Sequence, residues 1–146
     1  MIMQKDTAEI VKQLKLSPDF QSFYQENKEY MVDQTLAQLL TQLLEQSGIS
    51  KAAAIKNAEM SEVYGYHIFS GSRIPERGKV LALAIGMGLH LDQVQQLLKA
   101  AGYSPLYVKR PFDSVVLYGI CKKMTVAQIN ELLYDYGMET LGQSTL

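Results

Sequence analysis

The sequence predicts an all-α fold. Apolar residues recur at helical spacing along most of the chain, and no segment alternates with period two for long. Glycine or a capping residue also falls where the apolar stripes begin and end.

The elements follow in order. Asp6 and Glu9 form a capping box ahead of Ile10, Val11 and Leu14. Ser17 then Pro18 reads as an N-cap with proline at the first helical position, and Phe20, Phe23, Tyr24 and Met31 supply the stripe behind it. Leu36, Leu39, Leu40, Leu43 and Leu44 make one face of an amphipathic helix that Gly48 ends. Ser50 starts a short helix from Lys51 to Ala58. A turn at Glu59, Met60 and Ser61 leads into a helix from Glu62 to Ser70, closed by Gly71. Residues 77–87 and 92–101 give two more helices, the second stopped by Gly102. A proline-punctuated connector spans 103–111. A helix over 112–123 follows, and Thr125 with Gln128 caps a last helix that Gly137 stops. The tail beyond Met138 reads as frayed.

The organisation expected is an N-terminal helical extension over 1–34, a central helical domain over 35–101, and a C-terminal helix pair over 102–146, all on one continuous body. The chain has 146 residues, 47% hydrophobic and 20% charged, enough to bury a core without metals or disulfides. Its one cysteine, Cys121, excludes an internal disulfide and reads as a small buried apolar group. No apolar run approaches the length that spans a bilayer, and no secretory leader pattern is evident, so a cytoplasmic protein without membrane association is expected. Net charge is −1, but it is uneven. Residues 1–47 carry 4 basic and 7 acidic side chains, residues 48–90 carry 5 and 3, and residues 91–146 carry 5 and 5. The middle third alone is net basic, a weak footprint for a nucleic-acid binder.

The informative segment runs from Gly48 to Leu91: GISKAAAIKNAEMSEVYGYHIFSGSRIPERGKVLALAIGMGLHL. Four features stand out around it. They are the Leu-rich helix before Gly48, the Ser50-Lys51 helix start, the Ser-Gly-Ser-Arg corner at 70–73, and the LALAIGMGL stretch at 81–89. On these, residues 35–91 resemble the lambda-repressor-like (Cro-type) helix-turn-helix domain. More loosely, the whole chain looks like a set of bacterial proteins with a YGYxIFSG segment, short N-terminal helices and a C-terminal helix pair.

The resemblance implies a compact multi-helix domain that reads double-stranded DNA, usually as a homodimer. Helix 62–70 would enter the major groove with Ser61, Glu62, Val63, Tyr66 and His67 toward the bases. Lys51, at the start of the preceding helix, would meet phosphate. Arg73, Arg77 and Lys79 would flank the groove as backbone contacts. Two departures matter. Relatives commonly carry Ala where this chain has Ile55, and an apolar, often β-branched residue where it has Gly65. The two positions touch across the helix pair, so the exchange roughly conserves volume. The turn glycine of relatives is Glu59 here, which must take a positive φ or change the turn. Glu62 would accept from a cytosine N4 amine, or weaken binding near phosphate.

Bland readings stand beside these. His67 and Lys51 also read as solvated surface groups. Tyr64 reads as bracing the Gly65 packing, and Tyr66 as either bracing or stacking on the DNA backbone. His90 reads as structural. Lys122 and Lys123 favour a helix C-terminus. Enzyme chemistry is not expected: there is no phosphate-binding glycine loop, no metal-spaced His/Cys cluster and no cofactor motif. The leading expectation is a sequence-specific DNA-binding transcriptional regulator. The alternative is a helix-turn-helix scaffold that contacts a protein partner such as a signalling enzyme, without DNA.

Overall fold

A computed structural model describes residues 6–31 and 34–142 of the chain. Its secondary structure there is helical throughout, and the chain divides into two compact units, Met1–Asp33 and Gln34–Leu146.

The first unit holds α1 (Thr7–Leu16), α2 (Phe20–Asn27) and a 3-10 turn at Lys28–Tyr30. The helix start expected at Ser17-Pro18 lies two residues later. Asp19 is the N-cap, its carboxylate accepting from the Ser22 amide at 2.7 Å. Ser17 instead closes α1, its hydroxyl donating to the Gln13 carbonyl. An ionised carboxylate is the stronger acceptor for an end-of-helix N–H. That same hydrogen bond holds the Asp19 carboxyl below its ordinary pKa. Phe23 is buried in this unit, with Phe20 tilted against it.

The second unit holds α3 (Leu36–Ser47), α4 (Lys51–Asn57), α5 (Glu62–Ser70), α6 (Arg77–Gly86), α7 (Leu91–Ala100), α8 (Pro111–Cys121) and α9 (Val126–Asp135). The helix start expected at Ser50 and the capping box of Thr125 with Gln128 are in place, while Asp6 caps α1 through the Ala8 amide and without a Glu9 capping box; Thr35 with Gln38 and Ser61 are caps beyond those expected from the sequence. Residues 80–84 of α6 are buried without a break, as in a helix that is apolar all round and lies at the centre of a core. Around it pack α4, α7 and α9. The leucines of α3 and the Ile68 and Phe69 pair of α5 complete one cluster.

One backbone device closes five of the described helices, α4, α6, α7, α8 and α9, and at three of them it leads straight into the next helix. After α4, α6 and α8 a three-residue corner has its middle residue left-handed: Glu59 (φ 58°), Gly88 (φ 72°) and Lys123 (φ 55°). The third corner amide reaches back five residues, from Met60 to Ile55, Leu89 to Ala84 and Met124 to Gly119. The next residue, Ser61, His90 or Thr125, is the N-cap of the following helix. Nothing in the side chains repeats, because the corner asks only for a tolerated positive φ and a cap.

At two corners the helices touch through a glycine and an isoleucine ten residues apart. A Cβ on Gly65 would lie 2.6 Å from the Ile55 side chain, and one on Gly119 would overlap Ile129. The Ile55–Gly65 exchange expected from sequence is therefore a real contact, and α8–α9 carries it in the opposite order. Gly65→Ala is expected to cost about 1–2 kcal/mol through overpacking, less the helix propensity it gains. In an Ile55→Ala background the same change should be neutral or stabilising, because the methyl fills vacated space. Chemical denaturation of the four chains reads the coupling, and simple additivity would show that the side chains do not meet.

The C-terminal pair is tied to the rest of its unit by the 103–110 connector. The Tyr103 hydroxyl donates to the Pro75 carbonyl at 2.7 Å, and the Gln95 amide brackets the backbone of Leu106 on both sides. The stretch after Met138 is not frayed as far as it is described. Leu141 is buried, and its amide donates to Asn130 Oδ1 at 2.7 Å. Cys121, expected inside, is exposed on the outer side of α8.

Candidate nucleic-acid interface

Helix α5 begins at Ser61, whose hydroxyl accepts from the Tyr64 amide at 3.2 Å, and ends at left-handed Gly71. Gly65, Ile68 and Phe69 face the core. Glu62, Val63, Tyr66, His67 and Ser70 fall at helical spacing on the opposite side and are all exposed. Val63 is 70% exposed, a large apolar side chain held in water on the first turn.

Cations edge this face on both sides. On one edge the Lys51 ammonium, carried by α4, sits 5.8 Å from the Tyr66 ring centre and 5.5 Å from that of Phe69. On the other, Arg73 and Lys79 lie 6.0 and 5.3 Å from the ring centre of half-buried Tyr64. A ring face attracts a cation at such distances and limits where it can wander. Burial and the nearby Glu76 carboxylate raise the Tyr64 phenol above its ordinary pKa, with Arg73 opposing them. Tyr64 packs against the core and carries the Arg73 and Lys79 cations, whereas the atoms nearest a Cβ on Gly65 all belong to Ile55. The carboxylates of Glu59 and Glu62 stand exposed at the leading end of α5.

His67 is exposed, and its Nδ1 shares a 2.8 Å hydrogen bond with the Ser72 hydroxyl. The hydroxyls of Ser70 and Ser72 both donate to the His67 carbonyl, which tightens the corner after the helix. The Ser-Gly-Ser-Arg corner is visible in the sequence, but the contacts of Ser70 and Ser72 with His67 come only with the fold. Lys56, exposed near the end of α4, and Ile74, 83% exposed beyond the corner, also stand in solvent, and no motif in the sequence marks either. An open groove of about 860 Å³ runs beside the end of α5, lined by Leu36, Thr41, Phe69, Arg73 and Ile74 among others.

Arg77 is placed differently from the flanking role expected for it. Its guanidinium grips the buried Asp113 carboxylate with two bonds of 2.9 and 3.1 Å. It also donates to the carbonyls of Ser104 and Pro105. Those donors are spent on the connector and α8, so they are unavailable to phosphate. His90 is the N-cap of α7, with the Gln93 side chain returning to its amide, a structural task.

Among the described residues no group of three or more His, Cys, Asp or Glu side chains is arranged to hold a metal, and no helix is long and apolar enough to cross a membrane. Fold and site together define an all-α protein that offers solvent one helix face edged by cations. No protein-family model, curated protein or solved structure matches the chain.

Proposed function

We propose that this protein is a sequence-specific DNA-binding transcriptional regulator of the lambda-repressor-like helix-turn-helix type, with α5 in the major groove. The observation that carries the reading is the exposed face of α5 with a ring-anchored cation on each edge. Phosphates run along both walls of a major groove, so a reading helix needs positive charge on both flanks. Lys51 serves one wall, and Arg73 with Lys79 the other. Glu62, Val63, Tyr66 and His67 face the base edges, with Val63 suited to a thymine methyl and Glu62 to a cytosine amine. Ser61 positions them by capping the helix. Arg77 drops out of the contact set, because its donors hold the C-terminal pair.

Fluorescence anisotropy with a duplex from upstream of the chain's own gene, and with random-sequence duplex, tests the reading across a salt series. Binding that weakens steeply with salt is expected. Lys51→Ala with Arg73→Ala should weaken it at least tenfold and reduce the salt slope by about 2. No binding at low salt would end the proposal.

The exposed carboxylates of Glu59 and Glu62 favour a second reading, in which the same helix pair docks a protein partner. On that reading the double variant leaves the partner complex intact, and nucleic acid does not co-purify.

A further inference from the structure

A second open cleft, of about 600 Å³, lies within the second unit. Its walls come from both ends of α4, from the corner between α6 and α7, and from the corner between α8 and α9. No residue of α5 lines it. Sites for small molecules typically measure roughly 300–1,000 Å³. Ile49, Ile85, Ile120 and Met124 all line the cleft, and each stays half-buried, so four large apolar side chains border one hollow.

The polar lining carries charge of one sign. Lys123 and His90 belong to it, and among the described residues no carboxylate does. Asp92, the acid on the first turn of α7, is exposed and lies outside the lining. Among the described residues Lys123 has no anion within ion-pair distance. His90 and Thr125 are the N-caps of α7 and α9, so the positive ends of two helix dipoles border the same cleft. Lys123 also holds a φ of 55°. The corners after α6, α7 and α9 place glycine at that position, and glycine takes such a φ without strain. The lysine thus occupies a place that the backbone alone would give to glycine.

We propose that this cleft binds a small amphipathic organic anion, a free carboxylic acid with an apolar chain or ring. Its carboxylate meets the Lys123 ammonium, with the His90 ring as a second donor, in a charge-assisted hydrogen bond. Its apolar body lies over Ile49, Ile85, Ile120 and Met124, and the unbranched methionine adapts to the shape it meets. An amine of the same body would face Lys123 with no acid to receive it. A neutral molecule would cover Lys123 without pairing it. An acid with no apolar body would gain only an exposed ion pair, which is worth little. The site stands independently of what α5 binds.

Titration of the full chain with octanoate, well below its micelle threshold, tests this through the backbone amides by two-dimensional NMR. Saturable shifts are expected, confined to the segments around residues 49, 57, 85–90 and 120–126. Octanol and octylammonium should bind about tenfold more weakly or worse, the loss expected for one hydrogen bond to a charged group. Acetate should not saturate. Lys123→Gly keeps the corner, because glycine accepts the left-handed φ, and should lose octanoate affinity by about tenfold. Met124→Glu sets a carboxylate in the lining and should reverse the preference between octanoate and octylammonium. Helical circular dichroism on both variants separates lost binding from lost folding. Octanoate shifts that never saturate or that scatter over the surface overturn the proposal. So does octanol, octylammonium or acetate binding as tightly as octanoate, and so does octanoate binding undiminished in Lys123→Gly or still preferred in Met124→Glu.

Discussion

Asp113→Ala is expected to lower the stability of the C-terminal unit by about 3 kcal/mol, the lower end of what breaking a buried ion pair costs. Asp113 is 2% exposed on its side chain and accepts three hydrogen bonds. Two come from Arg77, and the third from the Tyr107 amide at 2.9 Å. Alanine leaves that amide and the guanidinium without their acceptor. Arg77 keeps 23% of its side chain in solvent, which lets water take over part of the load and sets the estimate at the low end. A melting temperature lower by roughly 10 °C follows for a unit of this size. Asp113→Asn keeps one acceptor oxygen and should lose less. Thermal melts by circular dichroism settle the matter, and a shift under 3 °C for the alanine variant would mean that the clamp contributes little. The clamp does not touch α5, so on the proposed DNA-binding reading the change should appear in melting before it appears in affinity for duplex at low temperature.

Gly86→Ala should be nearly as damaging, by about 2–3 kcal/mol, for a different reason. A methyl there would lie 2.8 Å from the Ala54 carbonyl oxygen and 2.9 Å from the Ala58 amide nitrogen. Both atoms belong to the backbone of α4 and its cap, so no side chain can turn aside. The helices must part at their closest approach, which also strains the 3.1 Å bond from Asn57 Nδ2 to the Gly86 carbonyl. Better helix propensity returns at most about 1 kcal/mol, and less at the last residue of α6. Because α4 carries Lys51, on the proposed DNA-binding reading the same variant should bind duplex more weakly even where it remains folded. A melting temperature equal to the wild type would show that the two backbones are not in contact there.

The contrast between α5 and Arg77 shows which parts of this protein are written locally. Ser61, Gly71 and the apolar spacing of α5 set its ends and its buried side, and each acts within about a turn of helix. For Glu59, standing where the resemblance puts a turn glycine, the sequence left two outcomes, a positive φ or a changed turn, and the structure takes the positive φ. Cap chemistry and rotation about a helix axis need no knowledge of the rest of the chain.

What Arg77 does depends on Asp113, 36 residues away. Nothing local distinguishes it from Arg73, which stays exposed beside Tyr64. Cys121 and Leu141 divide the same way: composition put the cysteine inside and the tail outside, and packing reversed both. The sequence by itself determined the helices, several of their caps and the exposed side of α5, because those energies are spent between near neighbours. Only the tertiary structure decided which cation is free and which is consumed. A buried carboxylate takes whichever guanidinium the fold delivers to it, and sequence distance carries no information about that choice.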